Sequence, residues 1–443
     1  MCRYNKVTRM SVYYKGGYKM NRKLLQNRHY VFLISAQTVS NLGDWLNILA
    51  LMALLALKWE ASPMALSIAM LCLAVPNIFV GSLAGVIADR LNRKYLMIAT
   101  DILRALVVIG IIFSSHIWQV YILLCLSAIF SAIFQPAKEG KLREMVGDDL
   151  IQPAVATSEL INNGAKIIGP MISGVLVSTL GINWSFYLDS ASFVLSACLL
   201  LFIPGKKLIE TESQEEHASV QKSRFWAQFT DGFTFIKKQP KLMAGLFVFS
   251  VIIMVLQICD SQFAILLREI PDQPIMLLGW LMAGSGVGTV IAAIFLNKKD
   301  IQSALIALSL GSIVLGVGYI LCVAFIHIPL TLIMISYPIL GAVVGFCFGM
   351  GAIQFNVMAQ KITPNHFTGR VFGTIGSVTT LAVVIGMLSG GVISETLGVQ
   401  VTYYLSGGLL VLVGLFVYIS HRRIEGGDQV AKGDSGAQKK AQG

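Results

Sequence analysis

Twelve stretches of this chain are long and apolar enough to cross a lipid bilayer, and that pattern leaves few folds open. A hydrocarbon core about 30 Å thick takes about 20 residues of apolar helix. Without water to satisfy the backbone, such runs must be helical. They fall at 30–57, 64–88, 95–115, 117–137, 150–180, 183–203, 242–267, 275–296, 301–323, 327–356, 366–396 and 400–420. The longest need tilt or interfacial ends. At 55% hydrophobic, 13% charged and a mean hydropathy of +0.72, the composition excludes a soluble globular domain. The fold class is an all-α polytopic membrane protein.

A net charge of +11 does not point to nucleic acid, because the basic residues are scattered through short loops rather than gathered on one face. Of 34 Lys and Arg, only Lys58 and Arg268 fall opposite the termini, and Arg104 and Lys166 lie within spans. Basic residues stay on the cytoplasmic side. Both termini are therefore expected in the cytoplasm, with the chain multi-pass in the cell membrane. Six of the seven cysteines sit in apolar runs and Cys2 in the tail, without the spacing of a disulfide framework or a metal site. No metal or cofactor is expected.

Residues 1–29 read as a basic cytoplasmic tail without a removable signal peptide. Met20 opens MNRKLLQNRHY like a natural start, so the first nineteen residues are either an extension or precede the true start. Residues 30–203 form one six-helix bundle and 242–420 a second. The 204–241 linker ends in FWAQFTDGFTFIKK, whose Phe225, Trp226, Phe229, Phe233 and Ile236 suit a helix lying on the membrane surface. The tail 421–443, rich in Gly, Lys and Gln, is expected to be disordered. A repeat relates the bundles: 168–188 matches 385–405 without gaps at nine of 21 positions, a lag of 217. The fifth span thus corresponds to the eleventh.

Between the second and third spans the sequence GSLAGVIADRLNRKYLMIATDILR concentrates fixed charge. Gly85, Asp89, Arg90, Arg93 and Lys94 resemble the signature of the major facilitator superfamily, with Asn92 where a glycine is usual. Asn tolerates positive φ, so the turn can survive. Asp101 and Arg104 follow inside the third span, where charges cost about 2.5–3.5 kcal/mol each and need partners. The resemblance implies two pseudo-symmetric six-helix halves and a conformational latch built from Gly85, Asp89, Arg90, Arg93, Lys94, Asp101 and Arg104.

The first span carries Gln37, Asn41, Asp44 and Asn47 on one face. In the seventh, Gln257 and Asp260 lie so that Asp260 follows Asp44 by 216 residues, nearly the repeat lag. First spans of each half line the central cavity in this family. Asp44 and Asp260 are thus expected as pseudo-symmetric proton-coupling acids, with Gln37, Asn41, Asn47, Asn163 and Gln257 lining the substrate cavity. The fifth span adds Glu159 and Lys166 to the proton-coupling set, two turns apart and too distant to pair directly, so an asparagine, a water or another span must complete it; the nearest acids for Lys166 are Glu159, Asp44 and Asp101. Overlapping them, Ala165, Gly169, Pro170, Ser173 and Gly174 resemble the exporter signature of the superfamily. Small residues there let helices approach closely.

The fourth span lacks the arginine common in drug/proton antiporters. Ser127 stands about where it would fall, and Arg104 is the candidate to do its work. Phe-Gln-Pro-Ala-Lys, Tyr-Leu-Asp-Ser-Ala-Ser-Phe and Gly-Arg-Val-Phe resemble the branch with macrolide-efflux and siderophore-export proteins. Asp189, near Trp184 and Tyr187, is placed towards the outer interface. His116 and His327 read as solvated loop residues. Gly284, Gly286 and Gly288 serve helix packing, since no strand precedes them and no phosphate-binding lysine follows.

The resemblance implies a multidrug-resistance type antiporter, not an enzyme, that exports a small amphiphilic compound against protons and works as a monomer among membrane lipids. Facilitated diffusion or import by the same fold is the alternative. A transport-inactive sensor would need a folded soluble domain, and a membrane enzyme would need clustered catalytic groups at one interface; the sequence offers neither.

Overall fold

A computed structural model describes residues 22–205, 230–270, 275–298, 303–364 and 367–441. Twelve helices among them are long and apolar enough to span a membrane. We label them α1 (Arg28–Ala53, extended by a wider turn over Leu54–Lys58), α2 (Pro63–Arg90), α3 (Arg93–Ile112), α4 (Ile117–Met145), α5 (Asp148–Leu180) and α6 (Ile182–Leu201). The second half has α7 (Pro240–Leu266), α8 (Met276–Lys298), α9 (Ala304–Ala324), α10 (Leu330–Ile362), α11 (Thr368–Leu397) and α12 (Val399–Ala441).

Helix starts follow local chemistry. The Asn27 side chain accepts from the backbone N–H groups of His29 and Tyr30, and Ser62 caps α2 ahead of Pro63. Such caps satisfy amide groups that have no partner inside the helix. Asn92 caps α3 in the same way, with φ −66°, and donates to the Gly205 carbonyl at 2.8 Å. It is kept at this joint as a cap, not for the left-handed conformation its glycine counterpart suggested. Gly181 (φ 92°) and Gly398 (φ 88°) make the sharp joints after α5 and α11. They are 217 residues apart, the lag of the sequence repeat.

Packing repeats too. In the first half α1 lies against α5 and α6, α3 against α4 and α6, and α2 against α4. In the second, α7 lies against α11 and α12, α9 against α10 and α12, and α8 against α10. The halves join through α2 with α11 and α5 with α8, which exchange under the same correspondence. Outward-facing Leu106, Phe113, Phe416 and Ile419 are more than 60% exposed. In water so much exposed apolar surface is a liability, and in lipid it is the required exterior.

Contacts between halves gather at the face opposite the chain ends. Arg268 donates to the carbonyls of Ala56 (2.5 Å) and Ala61 (2.7 Å). The Gln262 amide reaches Ser67 (2.9 Å) and Pro63 O (3.3 Å), and Glu395 accepts from Met64 N at 3.1 Å. Towards the terminal face the helices separate. A side chain added at Gly164, Gly369, Gly373 or Gly376 would meet nothing within 4 Å. The central cavity is open on the terminal side and closed on the far side.

Three expected boundaries move. α4 and α10 each run beyond their apolar cores, to Met145 and Ile362, because amphipathic helix can leave the bilayer without breaking. α12 continues to Ala441, so the tail expected to be disordered is helical as far as that residue. No proline interrupts it, and its Ala, Gln and Lys favour helix. Residues 1–21 and 225–229 lie outside the described residues, so the tail before Arg22 and the first aromatics of the linker are not placed. Leu24 is buried against the first bundle. The helical 230–237 segment docks on α11 instead of lying free on a membrane: Phe235 stacks on Phe367 (5.4 Å), Asp231 pairs with Arg370 (2.9 Å) and Ile236 is fully buried.

Candidate functional site

Four charged side chains from three helices meet inside the first half. Arg104 of α3 is 4% exposed and pairs with Asp44 of α1. Its other terminal nitrogen stands 3.9 Å from Asp101, one turn earlier on α3, and its plane lies over the Phe193 ring of α6 at 4.1 Å. Asp101 is fully buried and accepts from Ser196 of α6 at 2.6 Å. Asp189 of α6, also fully buried, lies beside Asn47 and within electrostatic reach of Asp44 and Arg104. α1 comes this close because Gly43 has no side chain: a Cβ there would strike Ser192 and Asp189.

Only Asp44 of the three acids meets water appreciably, its side chain 34% exposed. It opens onto a cavity of about 220 Å³ lined also by Asn47, Asn77, Arg104, Ser127 and Ser131. Ser127 and Arg104 thus share one wall, the arrangement expected if the α3 arginine replaces one missing from α4. Lys138, which the sequence placed in a loop, is inside the longer α4, 5% exposed and in electrostatic reach of Glu159 and Asp44.

The proposed latch divides. Asp101 and Arg104 belong to the buried cluster, because their rung of α3 faces α1 and α6 instead of the terminal face. Gly85, Asp89, Arg90, Arg93 and Lys94 remain at that face. Arg93 bridges Asp89 and Glu144, each at 2.8 Å, and Lys94 Nζ donates to the Leu201 carbonyl at 2.7 Å. Asp89 is 72% exposed. These bonds stay within the first half.

Gln37 is not a cavity residue. It is 3% exposed, donates to Ser158 O (3.1 Å) and Asn162 Oδ1 (2.9 Å), and accepts from Ser158 Oγ (2.8 Å). With Asn41, which donates to the same Asn162 oxygen at 2.5 Å, it fastens α1 to α5. Glu159 accepts from Asn162 and Asn163 donates to the Glu159 carbonyl, so Glu159 does not pair with Lys166. Lys166 instead stands 5.8 Å from the Trp45 ring and acts electrostatically on Asp260 of the opposite half. Asp260 is exposed, and Gln257 half-buried against Gly386.

Asp44 and Asp260 are not register equivalents. Gly169 packs on Leu42 O and Trp45, and its repeat mate Gly386 on Met254 O and Gln257. That aligns α1 with α7 at a lag of 212, so Asp260 stands one turn, about 6 Å, farther from the terminal face. The small-residue motif has two backs. Ser173 donates to Leu46 O at 2.9 Å and Ala165 is buried in the first half, while Pro170 and Gly174 press on Gly279 of α8 across the halves.

Asp189 is the functional candidate that the sequence placed wrongly. Its aromatic neighbours suggested the interface, yet α6 starts only at Ile182, and a residue two turns inside is already in the core. The signal was present: an unpaired acid within a span is a site until shown otherwise.

The Major Facilitator Superfamily model matches residues 33–378 and again 274–441. An uncharacterized MFS-type transporter of Bacillus subtilis, YfiS, is 37% identical over 424 residues, covering 95% of this chain and all of that protein. The multidrug efflux pump Tap of Mycolicibacterium fortuitum is 25% identical, covering 87% and 94%. Macrolide efflux protein A of Streptococcus pyogenes is 23% identical, covering 80% and 86%. The fold superimposes on the crystal structure of the nucleoside transporter NupG with a TM-score of 0.68 at 14% identity, over 88% of this chain and 98% of that one. With twelve spans in two repeated halves around a cavity open at one face, the chain belongs to the Major Facilitator Superfamily of transporters.

Proposed function

We propose that this transporter exports a small amphiphilic compound in exchange for protons, the two halves rocking to expose the cavity alternately at each face. The terminal face is cytoplasmic, by the distribution of basic residues, and the structure is then inward-open, ready to receive cargo from inside. The observation that carries the proton step is the Asp44–Arg104 pair at the cavity wall. A carboxylate that meets water from one side and a buried cation from the other exchanges its partner for a proton when the cavity changes face.

Relatives named for multidrug and macrolide efflux support the direction and the substrate class, as does the small-residue motif on α5. An inward proton releases about 2.3 kcal/mol per 100 mV and about 1.4 kcal/mol per pH unit. At about 1.4 kcal/mol per tenfold, one-for-one exchange of a neutral compound sustains a gradient of several hundredfold. The test is a panel of amphiphilic compounds, macrolides included, in energised everted vesicles. Accumulation should be abolished by a protonophore and by Asp44→Asn, with counterflow retained in the variant. Transport that equilibrates the compound but never accumulates it would make the protein a facilitator and remove the proton from the mechanism.

A further inference from the structure

Three carboxylates, Asp44, Asp101 and Asp189, share one arginine. Fully ionised, they would leave the core of the first half with two uncompensated negative charges, where even one costs about 2.5–3.5 kcal/mol at a helix centre. Arg104 is committed to Asp44 and lies towards Asp101. Asp189 receives no ion pair from it. Among the described residues its Oδ2 is a buried oxygen without a hydrogen-bond partner, and so is Oδ1 of the adjacent Asn47. A bare acceptor in a dry interior is costly, and the Asn47 side chain is within hydrogen-bonding reach of the Asp189 carboxyl. One proton on the carboxyl, donated to the amide oxygen, satisfies both.

We propose that Asp189 is the proton-storing residue of this cluster in the inward-open state, its Oδ2–H donating to Asn47 Oδ1, and that Asp44 is the gate through which that proton exchanges with cavity water. This deepens the proton-coupled reading and rests on it. The groups facing Asp189 are Asp44 and Asn47 from α1, Arg104 from α3, and Ser192 on its own helix. From α5, Glu159 and Lys166 turn instead towards Asn162 and Trp45. On loading, an O–H bond forms on Asp189, the proton comes from water by way of Asp44, and the cluster goes from two net negative charges to one. On unloading, the O–H bond of Asp189 breaks, Asp44 passes the proton to cavity water, and the cluster returns to two net negative charges around the Asp44–Arg104 pair.

The repeat shows that architecture does not demand these charges. At the lag of 217 that aligns α6 with α12, Asp189 corresponds to Ser406, and the equivalent neighbourhood holds the edge-to-face Tyr319–Tyr403 pair. The same packing is built around two tyrosines in electrostatic reach of Asp260 in one half, and around four charged side chains in the other.

The test is infrared difference spectroscopy of the full-length protein in lipid, stepping pH, beside vesicle transport. A protonated-carboxyl C=O band is expected, lost in Asp189→Asn and in Asp189→Ser, shifted in Asn47→Leu, and kept in Asp44→Asn with slowed hydrogen–deuterium exchange. Should Asp189→Asn fail to fold, Asp189→Ser, which installs the residue of the other half, carries the same readout. A band unaltered by both Asp189 variants, or abolished by Asp44→Asn, would overturn the proposal. Because the band is read without substrate, its presence on Asp189 alongside transport indifferent to protonophore would refute only antiport, whereas coupled transport without the band would refute only Asp189.

Discussion

Replacing Arg268 with glutamine removes the two hydrogen bonds by which the end of α7 grips the end of α1. They are charge-assisted, 2.5 Å to Ala56 O and 2.7 Å to Ala61 O, and such bonds contribute about 1.5–3 kcal/mol each when buried. Arg268 is half-buried, so water reclaims part of that when the grip opens; halving the lower figure for each leaves about 1.5 kcal/mol. These bonds span the halves and exist only while the far face is closed. Their loss therefore acts wholly on the equilibrium between the two cavity states. About 1.4 kcal/mol is tenfold, so Arg268→Gln shifts the population about tenfold away from the form seen here.

Spin labels on the far ends of α2 and α11, read by pulsed dipolar spectroscopy in lipid, measure the two populations directly. A longer-distance population should grow about tenfold relative to the short one. An unchanged distance distribution would mean that apolar packing of α5 on α8, not the Arg268 grip, holds the far face shut.

Other outcomes follow from the same geometry. Asp89→Ala frees Arg93 from one of its two acids and should slow turnover several-fold while raising cysteine accessibility at the terminal face, if Asp89 latches the halves when the cavity turns outward; wild-type labelling and turnover would sink the latch. Arg104→Gln leaves Asp44 and Asp101 without their cation and should cost about 3–5 kcal/mol of stability, read as a fall in thermal unfolding temperature that Asp44→Asn partly restores in the double variant. Lys166→Met and Asp260→Asn, combined in a double-mutant cycle, should depart further from multiplicative effects on transport than Lys166→Met with Asp44→Asn, whose coupling is indirect; the reverse pattern would reassign the lysine.

Most of the fold is written in the apolar runs, because a bilayer permits little but helix and fixes its length. The repeat between 168–188 and 385–405 gave the correspondence of α5 with α11, and Gly181 and Gly398 bear it out to the residue. Side-chain partners were less legible. The stripe Gln37, Asn41, Asp44, Asn47 predicts one shared face, but about 100° per residue cannot say that Gln37 meets α5 while Asp44 meets α3. Helix curvature and the one-turn offset of α7 against α1 decide such things, and both depend on which small residues touch. Asp101 and Arg104 looked continuous with the terminal-face charges because they adjoin them in sequence. Two turns of helix carry them about 12 Å away, into a different neighbourhood.

The division of labour between the halves is chemical more than architectural. Both bundles use the same helix pairings, the same left-handed glycine joints and the same close approach of α5 or α11 to the first helix of its bundle. The first bundle then replaces neutral contacts with Asp44, Asp101, Arg104 and Asp189, while the second keeps tyrosines, Cys259 and Ser406 and exposes an acid, Asp260, towards Lys166. A charge cluster strongly resists being pulled apart in lipid, so the first bundle should move as a rigid body whose protonation changes. The cross-half residues, Lys166 with Asp260 and Arg268 with the end of α1, are the ones whose contacts must break and re-form in each cycle. The proposed proton coupling requires that a proton on the first bundle alter what the second bundle meets at the interface. Trp45 links the two sets: it neighbours Asp44 in sequence, packs under Gly169 and stands beneath Lys166, so under the proposed coupling its side chain is the element by which protonation would displace the lysine that faces Asp260.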